Sequence, residues 1–191
     1  MVVRSLSPQR RAVAGVSMIE VLVTLVVIAF GLLGMAGLQV RLQMSEMESY
    51  QRSQALLLLN DMANRIATNR NNAAAYLNTA ANPLGAGMIC PTTTTSVVQR
   101  DLLEWCNALQ GAGETTGGNK VGAMIGGRGC VEDLGSGEYF ITIAWQGLTP
   151  ISAPPTAVAC GANLYNTGGS SCVNDLCRRT VTTLVRIATL T

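Results

Sequence analysis

The chain has no histidine, and only 13% of its 191 residues are charged. Without an imidazole the commonest general base is missing, and neither a Ser-His-Asp nor a Cys-His arrangement can form within the chain. Zinc is disfavoured for the same reason: there is no cysteine–histidine set and no C-x-x-C pair, the nearest cysteines being Cys172 and Cys177. A phosphate loop is absent as well, since the glycine-rich stretch Gly111 to Lys120 ends Gly117-Gly118-Asn119-Lys120, without P-loop spacing. Glu132, Asp133 and Glu138 lack the spacing of a calcium loop and read as a solvated loop. No catalytic residue, metal or cofactor is expected. Nor is nucleic acid. Thirteen basic residues stand against 11 acidic ones, and three of the basic ones, Arg4, Arg10 and Arg11, precede the first apolar residues of a long block. Without those three the balance is 10 against 11, which gives no face that neutralises phosphates.

What the chain does have is a concentrated hydrophobic block. Val21 to Val40 is twenty residues without a charge, about 30 Å as a helix and so the thickness of a bilayer core. The arginines before it place the N-terminus in the cytoplasm and the bulk of the chain outside. An ordinary cleaved signal peptide would have a shorter apolar run followed by an A-x-A cleavage site; this run is longer and no convincing site of that kind follows it. The segment therefore reads as a retained anchor. From Gln39 to Thr68 there is no proline or glycine, so the helix is expected to continue beyond the membrane. In that continuation Ala55, Leu58, Leu59, Met62 and Ile66 recur at helical spacing and predict a core-facing stripe, with Asp61, Asn64 and Arg65 elsewhere.

Six cysteines, Cys90, Cys106, Cys130, Cys160, Cys172 and Cys177, all follow the block. An even number in a small exported domain reads as a disulfide framework in an oxidising compartment. Six cysteines allow fifteen pairings. The one expected joins Cys90 with Cys106 and Cys160 with Cys172 around the turn-rich loop Asn166 to Ser171, leaving Cys130 with Cys177. Ser96 and Gln99 form a capping-box pattern ahead of a helix with Val98, Leu102, Trp105, Cys106 and Leu109 on one face. Gly111 to Gly129 reads as loop. Glu138 to Gln146 alternates, with Tyr139, Ile141, Ile143 and Trp145 opposite Phe140, Thr142, Ala144 and Gln146, and predicts a strand covered on at least one face. Thr180 to Thr189 predicts a second strand. The expected fold class is α+β: a long N-terminal hydrophobic helix whose C-terminal half packs on a small antiparallel sheet, stabilised by disulfides.

Glu20 stands at the edge of the apolar run, where an uncompensated carboxylate is costly. One account is local: Ser17-Met18-Ile19-Glu20 is an S-x-x-E capping box. A second begins at Gly15, small enough for a protease to reach the backbone. Ala14-Gly15-Val16-Ser17-Met18-Ile19-Glu20-Val21-Leu22-Val23 resembles the type III leader and helix start of type IV pilins and type II secretion pseudopilins. The resemblance implies a pilin fold, cleavage after Gly15 by a prepilin peptidase, N-methylation of the new terminal Val16, and a charge pair in which Glu20 meets the N-terminal amine of a neighbouring subunit to fix register. Val16 stands where the family usually has phenylalanine. The two accounts of Glu20 are compatible, because capping serves the monomer and the amine serves the filament.

Gly31, Gly34 and Gly37 recur every third residue in the anchor, as a close-packing surface for another helix or a point of easy unwinding. More narrowly, Gln54 to Arg70, Asp101-Leu102-Leu103-Glu104-Trp105, Tyr139 to Gly147 and Cys177-Arg178-Arg179 resemble PilV-type minor pilins, the type IV pilus modification proteins. The organisation this implies is a leader over 1–15, a filament-core helix over 16–40, its amphipathic continuation over 41–78 and an extracytoplasmic domain over 79–191. The implied function is a minor pilin that primes or enters type IV pili and supports pilus biogenesis and motility; a minor pseudopilin of type II secretion is the alternative. Implied partners are other major and minor pilins through the N-terminal helix, the prepilin peptidase and the inner-membrane assembly platform. The implied location is the inner membrane before assembly and the pilus after it.

Overall fold

The computed structural model describes residues 15–122 and 124–188. Helix α1 runs over Met18–Thr68, and the chain divides into two compact units between Gln43 and Met44. The first unit contributes the apolar half of α1. The second contains the rest of α1, a 3-10 segment Arg70–Tyr76, helix α2 (Val97–Leu109) and strands β1 (Leu84–Gly85), β2 (Thr115–Thr116), β3 (Asn119–Lys120), β4 (Arg128–Gly135), β5 (Glu138–Gln146) and β6 (Arg178–Arg186). The expected α+β class is what the structure has.

The helix ends at Thr68, short of the continuation expected to residue 78. Two asparagines stand at this break, their side chains bonded to other side chains. Asn72 Nδ2 donates to Asn69 Oδ1 at 2.8 Å, and Asn69 Nδ2 donates to Tyr76 Oη at 3.1 Å. Asn72 itself leaves helical geometry, with φ at −116°.

Within the second unit the sheet order is β1-β4-β5-β6, all neighbours antiparallel. Side chains alternate between faces along a strand, so Val131, Tyr139, Ile141, Ile143 and Trp145 share one face. That face meets Ala55, Leu59, Met62 and Ile66 of α1 and Trp105 and Leu109 of α2 in one core. The predicted stripe on α1 is thus core, with Leu58 half-buried beside it and polar Gln51 added to it. Helix α2 starts as its sequence predicts: Ser96 Oγ accepts from the Gln99 N–H at 3.2 Å and Gln99 Oε1 accepts from the Ser96 N–H at 3.2 Å.

The sequence places loop over Gly111 to Gly129, yet β4 begins at Arg128, and β2 and β3 pair within that stretch. Strand β4 also takes Glu132 and Asp133, opposite Phe140 and Tyr139 of β5, out of the loop expected for them. Asp133 Oδ1 accepts from the Gly135 N–H at 2.7 Å, and Glu138 pairs with Arg186. These carboxylates serve the hairpin and the sheet edge.

The second face of β5 is covered too. Thr142 and Ala144 are fully buried, beneath the segment that joins β5 to β6. Cys160 Sγ lies 3.8 Å from the Thr142 carbonyl oxygen. Arg178, 3% exposed, donates to Asp175 at 3.0 Å and to the carbonyls of Val158 and Cys160 at 2.6 and 3.1 Å.

The disulfides join Cys90 with Cys106, Cys130 with Cys160 and Cys172 with Cys177. The first is the expected pair. The expected Cys160–Cys172 and Cys130–Cys177 pairs are not formed, and strand order explains why. Cys130 lies on β4 and Cys177 enters β6, with β5 between them. Two strand spacings come to about 9–10 Å, beyond the Cα separation of about 7 Å that a disulfide tolerates. Cys130, opposite Thr142, points to the loop-covered face and meets Cys160 there. Cys172 and Cys177 close their own turn, in which Asn174 and Asp175 have φ of 53° and 60°.

Candidate functional site

The N-terminal half of α1 carries most of the residues singled out in the sequence. Gly15, Val16 and Ser17 precede the first helical residue, Met18, and are exposed. A β-carbon built on Gly15 meets nothing within 4 Å among the described residues. The arginines and the other leader residues over 1–14 lie outside the described residues.

At the helix start the Ser17 carbonyl accepts from the N–H groups of Glu20 and Val21 at 3.1 and 3.3 Å. The Ser17 hydroxyl accepts from the Glu20 N–H at 3.4 Å. This is half of the expected capping box. The return bond from the Ser17 N–H to the Glu20 carboxylate, whose equivalent is formed at Ser96 and Gln99, is not made among the described residues. Glu20 is exposed and forms no ion pair among the described residues. Its carboxylate stands close to the positive end of the helix dipole.

Beyond Glu20 an 18-residue window has a mean hydropathy of 2.6 and none of it is buried. One helix near the N-terminus is therefore long and apolar enough to cross a membrane. Its single hydroxyl, on Thr24, donates to the Val21 carbonyl at 2.8 Å and is satisfied without water. β-Carbons built on Gly31, Gly34 and Gly37 meet nothing within 4 Å. Three-residue steps rotate each glycine by about 60° from the last, so the three together form a slanted shallow strip that is uncovered among the described residues.

In the second unit, charged clusters tie the elements together. Arg65 contacts Asp61 at 2.9 Å, Asp101 at 2.7 Å and Glu104 at 2.8 Å, joining α1 to α2. Tyr76 Oη donates to the same Asp101. Burial first, and then the Asp101 carboxylate, push the Tyr76 phenol up to about 12. Arg179 joins β6 to α1 through Glu48 at 2.7 Å, and Arg178 holds Asp175. A groove lined by Met47, Tyr50, Leu109, Met124 and Ile125 contains one lysine, Lys120, whose Nζ is already bonded to Asn107 and Gln110 at 2.9 and 2.7 Å.

Sequence reasoning singled out neither the Arg65 cluster, which depends on residues far apart in sequence, nor Arg128. The signal for Arg128 was present in Gly126-Gly127-Arg128-Gly129, one arginine held among glycines. No protein-family model, curated protein or solved structure matches the chain.

Proposed function

We propose that the chain is a structural subunit of the pilin type, a minor pilin that primes or enters type IV pili. The observation that carries this reading is the junction at Gly15 and Val16. It is exposed and non-helical, lies just before a 51-residue helix, and leads into an apolar stretch that nothing among the described residues covers. The C-terminal half of the same helix supplies the core stripe of a disulfide-bonded α+β unit. One continuous element thus serves as anchor and as scaffold.

The chemistry follows from the helix start. The leader holds the N-terminus in the cytoplasm, prepilin peptidase cuts after Gly15 to free the Val16 amine, and that amine is then N-methylated. Ser17 occupies the helix-end N–H of Glu20, and the carboxylate has no ion-pair partner among the described residues. In the apolar interior of a filament, that carboxylate is costly until it meets a cation. The Val16 amine of a neighbouring subunit is such a cation, and pairing them sets the axial step. Apolar side chains give little register of their own, because lipid and helix are equally apolar partners. The glycine strip at Gly31, Gly34 and Gly37 lets a second backbone approach.

Gly15→Leu should leave the chain unprocessed, whereas Glu20→Ala should leave it processed but poorly incorporated into filaments. Normal filament entry by Glu20→Ala contradicts the pairing. Deletion should reduce surface pili; loss of exoprotein secretion with pili intact points to a type II secretion pseudopilin.

A further inference from the structure

Arg128 differs from the other arginines of the second unit. Arg65, Arg178, Arg179 and Arg186 each hold a carboxylate. Arg41, Arg52, Arg70 and Arg100 are exposed to water. Among the described residues Arg128 is the half-buried arginine with no carboxylate within ion-pair reach.

Its position is nevertheless fixed. The guanidinium carbon sits 4.9 Å from the centre of the Tyr165 ring, and Nη1 donates to the Gly126 carbonyl at 3.2 Å. Tyr165 Oη donates to that same carbonyl at 2.9 Å, which locks ring and guanidinium together. Gly87 and Gly126, with φ of 84° and 62°, close around it: β-carbons there would lie 3.4 Å from Nη2 and 3.6 Å from Nη1. One hydrogen bond leaves most of the five guanidinium donors unspent. Arg128 lines a cavity of about 280 Å³ with Asn82, Pro83, Gly87, Met88 and Leu164.

We infer that this cavity is a carboxylate-binding site with Arg128 as its anchor. A partly desolvated cation without a counter-charge is unfavourable, and a planar guanidinium fork matches a carboxylate through two parallel hydrogen bonds. A single cation among Pro83, Met88 and Leu164 suits a monoanion carrying an apolar stem. A phosphate dianion calls for a second positive group, and Arg128 is alone in this lining. The carboxylate is that of a free organic acid or of an acidic side chain on a partner protein. The inference does not rest on the pilin reading.

The test uses the full chain in detergent with its disulfides intact, labelled with ¹⁵N-glycine so that the Gly87 and Gly126 amides report on the site. Sodium propionate, N-acetylglutamate amide and inorganic phosphate are titrated in at constant ionic strength. Propionate, N-acetylglutamate amide or both should shift the two amides saturably, and Arg128→Gln should weaken that binding by about tenfold or more, the loss of a charged bidentate pair. Arg128→Lys keeps the charge without the fork and should fall between the two; it also serves if the glutamine variant fails to fold. Saturation by both carboxylates indicates a free acid, and saturation by the glutamate derivative alone indicates a protein side chain. A linear shift with every anion, a response to phosphate alone, or equal binding by wild type and Arg128→Lys overturns the inference.

Discussion

The six-membered ring of Trp105 packs so closely on Gly129 that a β-carbon at 129 would overlap it. Trp105 Nε1 donates to the Leu58 carbonyl at 3.0 Å. One fully buried side chain thereby joins α2 to α1 and to β4. Gly129→Ala should push the ring out of this slot and destabilise the second unit by about 1–3 kcal/mol, the usual cost of overpacking. Denaturant unfolding followed by tryptophan fluorescence measures it, and an unchanged midpoint would show that the ring has room to move.

The disulfide framework gives a second prediction. Peptide mapping without reduction should find Cys90 with Cys106, Cys130 with Cys160 and Cys172 with Cys177. Replacing Cys130 and Cys160 together by serine releases a 30-residue closure and should cost about 2–4 kcal/mol. It should also loosen the cover over Thr142 and Ala144, seen as faster amide exchange in the centre of β5. Recovery of a Cys130–Cys177 peptide would contradict the strand order.

High pH should act on two tyrosines. Burial pushes both Tyr76 and Tyr165 up to about 12, with Asp101 adding to the effect at Tyr76 and Arg128 opposing it at Tyr165. An unfolded tyrosine ionises near 10. Since the folded state keeps its protons longer, this contribution to stability is full below about pH 10 and is lost as pH rises toward about 12. Stability should therefore fall through that window. Tyr76→Phe should flatten part of the fall, and an identical pH profile in that variant would remove Tyr76 from the account.

The two serines at helix starts should differ. Ser96→Ala breaks a complete capping box and should cost about 1 kcal/mol in the unfolding of the second unit. Ser17→Ala removes one hydroxyl acceptor at 3.4 Å, in the first unit, and should leave that unfolding midpoint unchanged.

How much of this was legible in the sequence depended on whether the information was local. The Ser96–Gln99 box, the stripe from Ala55 to Ile66 and the strand from Glu138 to Gln146 are written in short-range patterns, and each formed. Strand β4 was not legible. Arg-Gly-Cys-Val-Glu-Asp-Leu-Gly has two glycines and no clean alternation, and it is a strand because β5 and Asn78 supply hydrogen bonds to both sides of it. Missing β4 hid the distance between Cys130 and Cys177, and so two disulfides were misassigned. At the candidate site the residues themselves were legible, from Gly15 to Gly37. That the cap at Ser17 and Glu20 is only half formed among the described residues was not, because whether a side chain closes a box is a matter of rotamer and not of spacing.

Mass spectrometry of the mature chain's N-terminus tests the central claim most directly. The account predicts a chain that begins at Val16 and carries an N-methyl group, with the whole of α1 retained. A chain that begins at Met1, or one cut beyond the apolar half of α1, would contradict it.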